Sequence, residues 1–300
     1  MGPAGGVARL AVAPRPRGRR DGRGGALAVA SGRLRPGEAR RYALARPVFR
    51  PVVDAVSWIG ARTEEDRERF LAIGADPSIV EVTGDLKLDA LAQKAELPNS
   101  WEAELSSGPP LLVGVSTHAP EEEVLLAAVA ALRHRGIEAR LALAPRRVSR
   151  GADLERLARA AGLASRRLSD PPGPEPVLVV DSFGLLDALL PLAAVAFLGG
   201  TLAPVGGHSP VGAAEAGVPL LAGPSLDGVR EVANSLRAAG ALVEVGRSDA
   251  VSEVRVALEL LLSDEAGRRR RGEAGRLSLA ALRGGAARTA GKVLGLLAAR

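Results

Sequence analysis

The sequence contains no cysteine, which excludes disulfides, thiolate nucleophiles and zinc–thiolate sites together. Histidine occurs only at His118, His134 and His208, with no H-E-x-x-H pattern, so a metal ion held by the protein is not expected. Aromatic residues make up 2% of the chain against 47% for hydrophobic residues as a whole. Any core is therefore built from Leu, Val and Ala, as in alternating strands and helices rather than a β-sandwich. No apolar run approaches the ~20 residues that span a bilayer. Residues 1–25, rich in Gly, Pro and Arg, lack the continuous apolar centre of a secretory signal, and their composition reads as a disordered segment. The net charge of +6 and pI near 10.7 point to acidic partners. Aromatics are scarce and no recognition module is present, so no nucleic acid partner is expected.

What is present centres on Val195 to Pro224, VAFLGGTLAPVGGHSPVGAAEAGVPLLAGP. An apolar run ends at Gly199-Gly200; a loop follows with Gly206-Gly207, His208, Ser209 and Pro210. A small-residue segment then leads to a second apolar run that stops at Gly223-Pro224. This pattern predicts a buried strand, a loop, a short helix and another strand. Ser209 suits the N-cap and Pro210 the first turn. A helix N-terminus facing a glycine loop favours anions, through free N–H groups and the helix dipole. The same glycines are equally compatible with plain turns.

Three hundred residues suggest two domains or one large one. In chain order, Ala26 to Ser31 predicts a strand. Arg33 to Arg50 is strongly basic, and helical spacing puts Tyr42, Ala45 and Phe49 on one face; this is either a solvated flank or a phosphate-facing surface. Val52 to Ile59 predicts a strand, Thr63 an N-cap with Asp66 three residues on, and Ile79 to Val82 a strand before the turn Gly84-Asp85. Residues from about Ala90 to Pro110 read as a junction. Strands then alternate with helices: Leu111 to Val115, Arg140 to Ala144, Val177 to Val180, Val195 to Leu198, Pro219 to Ala222 and Leu242 to Val245. Such alternation implies a parallel sheet covered on both faces. Strand tips near Ser116, Arg146, Ser182 and Ser209 converge on one edge, with arginine, hydroxyls and glycine turns suited to a nucleotide phosphate. That edge carries no trustworthy Ser-His-Asp spacing.

The segments ARTEEDRERFLAIGA, VTGDLKLD, VSTHAPEEE, APRR, DSFG and GGTLAPVGGHSPVGAAEAGVPLLAGP, in this order, resemble the 3-deoxy-D-manno-octulosonic acid (Kdo) transferases of lipid A and lipopolysaccharide core assembly. The resemblance implies an α/β fold of glycosyltransferase-B type, with a complete C-terminal Rossmann-like domain and a partial N-terminal one. The expected divisions are residues 26–108, on the acceptor side, and 109–300, binding CMP-Kdo. It implies transfer of Kdo from CMP-Kdo to a lipid A precursor, with no cofactor and no metal. The place of work implied is the cytoplasmic face of the bacterial inner membrane, held peripherally at its anionic surface. By position, Lys87 matches a lysine assigned to transition-state stabilisation, where an ammonium offsets developing negative charge; a solvated turn lysine is the plainer reading. Pro145, Arg146, Phe183, Gly184, Ser209 and Pro210 match CMP-binding positions. Ser116, Thr117, Gly207, His208 and Glu215 are further candidate donor contacts, although Ser116-Thr117-His118 also suits a helix-capping turn.

The departures are specific. Nothing in Met1 to Gly25 resembles the family's glycine loop that carries the catalytic glutamate, so the chain reads as N-terminally truncated and without its general base. Such a polypeptide is expected to be slow or inactive alone. Leu185 and Gly212 stand where the family has glutamates, Arg147 replaces a histidine, Ser209 an asparagine, and Asp85 a turn asparagine. Glu215, one helical turn beyond Gly212, is a candidate replacement. A non-catalytic descendant that binds nucleotide or anionic lipid is the alternative.

Overall fold

The structure, a computed structural model, describes residues 27–89 and 96–298; the expectation for residues 1–25 lies outside them. The chain divides into two compact units, one comprising residues 27–89 with 282–298 and the other 96–281.

The first unit is a three-stranded parallel sheet of β1 (Ala28–Gly32), β2 (Trp58–Ala61) and β3 (Val80–Val82), in that spatial order. Between β1 and β2 run α1 (Pro36–Leu44) and α2 (Arg46–Asp54). The expected single helical face is broken at Ala45 because Pro47 lacks an N–H and disfavours helical geometry just before it. Tyr42 and Phe49 still meet, their ring centroids 4.4 Å apart. The strand expected from Val52 to Ile59 is corrected: Val52 and Val53 finish α2, and only Trp58 onward pairs in the sheet. After β2, α3 (Glu64–Ala72) begins as its sequence predicts, with the Asp66 amide donating to Thr63 Oγ1 at 3.1 Å. Ile59, Ala61, Phe70 and Val80 form this unit's core.

In the second unit α4 (Asn99–Ser107) comes first. It lies within the stretch read as a junction, and it is packed rather than free: Trp101 is 2% exposed and donates Nε1–H to the Asp170 carbonyl at 3.0 Å. Then follow β4 (Leu111–Thr117), α5 (Glu121–His134), β5 (Arg140–Pro145), α6 (Gly151–Ala160), β6 (Ser165–Arg167), β7 (Val177–Val179) and α7 (Leu185–Leu189). The unit continues through β8 (Ala193–Leu198), α8 (Val211–Glu215), β9 (Leu220–Ala222), α9 (Arg230–Ala238), β10 (Leu242–Glu244), α10 (Ala250–Ser263) and α11 (Glu265–Leu282). The last helix, α12 (Gly285–Ala298), belongs to the first unit. Its start is tied by Asp89, whose carboxylate accepts from the Gly284 and Ala286 amides at 2.7 and 2.6 Å.

The seven strands of the second unit are all parallel, in the order β10-β9-β8-β4-β5-β7-β6. β6, polar and half-buried, is an edge strand that hydrophobic patterning does not announce. The sheet grows from β4 to one side through β5 and β7, then returns to β4's other side with β8. β4 is thus the topological switch point, where the crevice beyond the strand ends receives ligands in folds of this kind. The core is aliphatic, as composition predicts, with Leu112, Leu126, Leu141, Val177 and Val195 among its members. The arginine run from Arg268 to Arg271 is spent locally. Arg268 donates to the Leu261 and Leu262 carbonyls, Arg271 to that of Gly240, and Arg269 pairs with Glu265. Among the described residues no helix is long and apolar enough to cross a membrane.

Candidate functional site

The carboxyl ends of β8, β4, β5 and β7 lie side by side, so the loops they feed share one edge of the sheet. Gly199 begins the loop after β8. A Cβ there would fall 2.3 Å from the Ser116 carbonyl oxygen, so only glycine lets the two strand ends approach. Ser116 turns out of β4 with φ +52°. Thr117 is buried, and its carbonyl accepts from the Arg146 amide at 3.0 Å, joining the ends of β4 and β5. Pro145 closes β5 and is buried, whereas the Arg146 side chain is exposed and has no ion pair among the described residues. Beyond β7, Phe183 is 79% exposed and Gly184 caps α7 with φ +87°.

His118 directly follows β4, and His208 lies in the loop after its neighbour β8. Their Nε2 atoms are 2.7 Å apart and their rings nearly parallel, 2° between planes. One ring donates and the other accepts, which requires opposed tautomers in a neutral pair. Burial pulls the His208 imidazole below its ordinary pKa, with His118 and Arg146 adding to the effect and Glu121 opposing it. Arg146, whose amide donates to the carbonyl of Thr117, lies next to His118 along the strand ends.

Two features of the expected anion site are corrected. The helix begins at Val211, not at Pro210; Pro210 occupies the cap position and Ser209 Oγ accepts from the Val211 amide at 3.4 Å. More consequentially, the glycine-loop amides are already occupied. The Glu121 carboxylate, 0% exposed, accepts from the amides of Gly200, Thr201, Leu202 and Ala203 at 2.8, 2.9, 2.9 and 3.2 Å. Of the second glycine pair, the Gly207 amide donates to the Gly200 carbonyl and the Gly206 amide to Ser225 Oγ. These N–H groups are spent within the protein.

Sequence reasoning missed both Glu121 and Asp187. A Cβ at Gly212 would lie 3.3 Å from Asp187 Oδ1 and 3.1 Å from Leu190 Cδ1. That proximity joins the starts of α7 and α8 and places a carboxylate beside the position where the family pattern has glutamate. Glu215 is half-buried within α8. Behind the site, burial pushes the Glu122 carboxyl above the usual range while Arg150, 2.7 Å away, opposes this. A cleft of about 630 Å³ opens at the opposite edge of the sheet, lined in part by Pro110, Pro191, Pro219 and Arg268, and includes none of the predicted site residues.

Lys87 belongs to the first unit, in the turn after β3, and is exposed. Asp85 organises that turn by accepting from the Lys87 amide at 3.0 Å, Arg62 Nη1 at 2.8 Å and Ser31 Oγ at 3.1 Å. An aspartate in place of the asparagine is thus matched by Arg62.

Two parallel-sheet units, the second in doubly wound order about a strand-end site, define an α/β protein of glycosyltransferase-B type. The fold is shared with the C-terminal CMP-Kdo binding domain of WaaA from Acinetobacter baumannii (TM-score 0.55, 22% identity, 60% of this chain and 94% of that one). It is shared also with MnaA of S. aureus in its complex with UDP (TM-score 0.53, 16% identity, 83% and 64%). Residues 20–90 match the family model described as 3-deoxy-D-manno-octulosonic-acid transferase (kdotransferase). A 3-deoxy-D-manno-octulosonic acid transferase of Bordetella pertussis is 31% identical over 272 residues, which make up 88% of this chain. The chain belongs to the Kdo transferase family. It spans 62% of the length of the Bordetella protein.

Proposed function

We propose that the chain takes part in transfer of Kdo from CMP-Kdo to a lipid A precursor, with CMP received at the strand ends of the seven-stranded unit. The observation that carries this reading is the exposed Arg146 guanidinium, without an ion pair among the described residues, on a strand end between that of Ser116–His118 and that of Phe183–Gly184. A guanidinium there suits bidentate binding of a phosphate, and the exposed Phe183 ring offers a face to the base. Pro145, Gly184, Ser209 and Pro210 shape the rim. In the transfer, an acceptor hydroxyl oxygen bonds to the anomeric carbon as that carbon's bond to the phosphate oxygen breaks. CMP departs with the electron pair, and the hydroxyl proton passes to a base. Lys87 offsets the charge of the departing group. This chain's base is not assigned, and transfer without a general base is ~10²–10⁴-fold slower; slow transfer by this polypeptide is part of the proposal.

The acceptor is lipid, and the first unit supports a peripheral seat on an anionic inner-membrane surface at its cytoplasmic face. Leu44, Val48 and Val52 recur every four residues and are 83%, 74% and 60% exposed, beside exposed Arg40 and Arg41. The second reading, a non-catalytic binder of nucleotide or anionic lipid, is favoured by Gly212, where the family's glutamate is replaced and a Cβ would already meet Leu190 Cδ1 at 3.1 Å and Asp187 Oδ1 at 3.3 Å.

Calorimetry with CMP tests the donor site. Arg146→Ala is expected to weaken CMP by about 1.5–3 kcal/mol, the worth of a charged hydrogen bond. Glu215→Ala in the same titration tests whether Glu215 stands in for the missing glutamate. No binding of CMP at millimolar concentration removes both the transferase and the nucleotide-binding readings.

A further inference from the structure

Glu121 opens α5, and its carboxylate folds back over the start of its own helix. Oε2 accepts from the His118 amide at 3.0 Å and from the Gly200 amide at 2.8 Å. Oε1 takes the amides of Thr201, Leu202 and Ala203. The loop then doubles back: the Gly207 amide donates to the Gly200 carbonyl at 2.9 Å and the His208 amide to the Gly199 carbonyl at 3.0 Å. The two histidine-bearing segments, ninety residues apart in sequence, thus hang on a single carboxylate oxygen. Their rings meet because their backbones are held there. A buried carboxylate that accepts five amide hydrogens has no neutral isostere, since a glutamine amide would turn N–H groups towards N–H groups.

We propose that Glu121 is a positioning residue of the donor site: it is a built-in anion that fills the glycine-loop amides and holds the His118–His208 pair beside Arg146. A nucleotide phosphate is then received by these three side chains and not by the loop amides. This rests on the donor-site reading above.

The test uses the full chain and CMP as the probe. The protein has three histidines, so nitrogen NMR of the imidazoles resolves each, with His134 as internal control. In the wild type, one of His118 and His208 is expected to carry its proton on Nδ1 and the other on Nε2. In Glu121→Gln, well below its melting temperature, this opposed signature is expected to vanish and CMP affinity to fall at least tenfold. An intact signature with CMP affinity within twofold of wild type overturns the proposal, even if the melting temperature drops, because a purely structural carboxylate gives that result. Should Glu121→Gln fail to fold, the wild type decides. On saturation with CMP, the amide signals of Gly200 to Ala203 are expected to stay in place while the imidazole signals move; the reverse pattern overturns the proposal. If wild-type protein does not bind CMP, the donor-site reading fails by itself, and the imidazole signature in Glu121→Gln still decides what Glu121 positions. In that case, if the variant also fails to fold, a wild-type spectrum without opposed tautomers overturns the proposal and one with them supports it.

Discussion

His208 is kept neutral chiefly by burial, and its neutrality makes stability depend on pH. Its folded pKa lies below the ordinary 6.5, so between the two values the unfolded chain binds a proton that the folded chain refuses. Stability therefore rises with pH through that window and is lost as pH falls below 6.5. Glu122 contributes with the opposite sign above 4.5, because burial raises its pKa, so the informative quantity is a difference between variants. Replacing His208 by Asn is expected to reduce the fall in melting temperature between pH 7 and pH 5.5, followed by circular dichroism. An unchanged slope would mean that His208 titrates normally in the folded state. At this scale local chemistry was legible and distant chemistry was not. The Thr63 cap was readable because its partner lies three residues away, whereas Glu121 meets its loop partners 79 to 82 residues on. In a sequence, a glutamate following a proline signals only a helix start.

Among the elements, α1 and α2 leave apolar side chains of the first unit exposed. Leu44, Val48 and Val52 are exposed although burying a side chain of their type is worth ~1.5–3 kcal/mol. Docking them into the headgroup boundary of an anionic bilayer recovers that term, with Arg40 and Arg41 adding attraction. The double variant Leu44→Ser with Val48→Ser is expected to lower sedimentation with phosphatidylglycerol vesicles about tenfold or more, and to leave sedimentation with neutral vesicles weak. Equal binding by variant and wild type would overturn the proposed membrane seat on α1 and α2. The same elements show where pattern reading failed. The apolar run from Val52 to Ile59 looks like a strand, but Val52 and Val53 lie in the last turn of a helix that opens with Arg46-Pro47. The long alternation from Leu111 onward was legible because buried parallel strands are short aliphatic runs bounded by turns.

Across the molecule, the chain supplies a strand-end site on the seven-stranded unit and an exposed lysine in the other. If no residue of this chain serves as the base, as the proposed function holds, the expected outcome is CMP binding without efficient transfer. Mass spectrometry of a lipid A precursor incubated with CMP-Kdo is expected to show Kdo addition ~10²–10⁴-fold slower than with the Bordetella pertussis relative. Equal rates would mean that a residue of this chain serves as the base. The course of the chain also differs from a simple reading of order. The last helix was expected with the C-terminal domain, yet α12 packs with the first unit, where Asp89 holds its opening amides.

The sequence by itself determined the aliphatic core, the alternation of strand and helix, the absence of thiol chemistry and the family to which the motifs point. These depend on composition and on spacings within a few residues, which any chain of this pattern would share. Only the tertiary structure decided which amides remain available to a ligand. The glycine loop that looked open to a phosphate is closed by Glu121, and two histidines from separate strands become one hydrogen-bonded pair. Parallel strands bring together residues whose separation in sequence carries no trace of their distance in space.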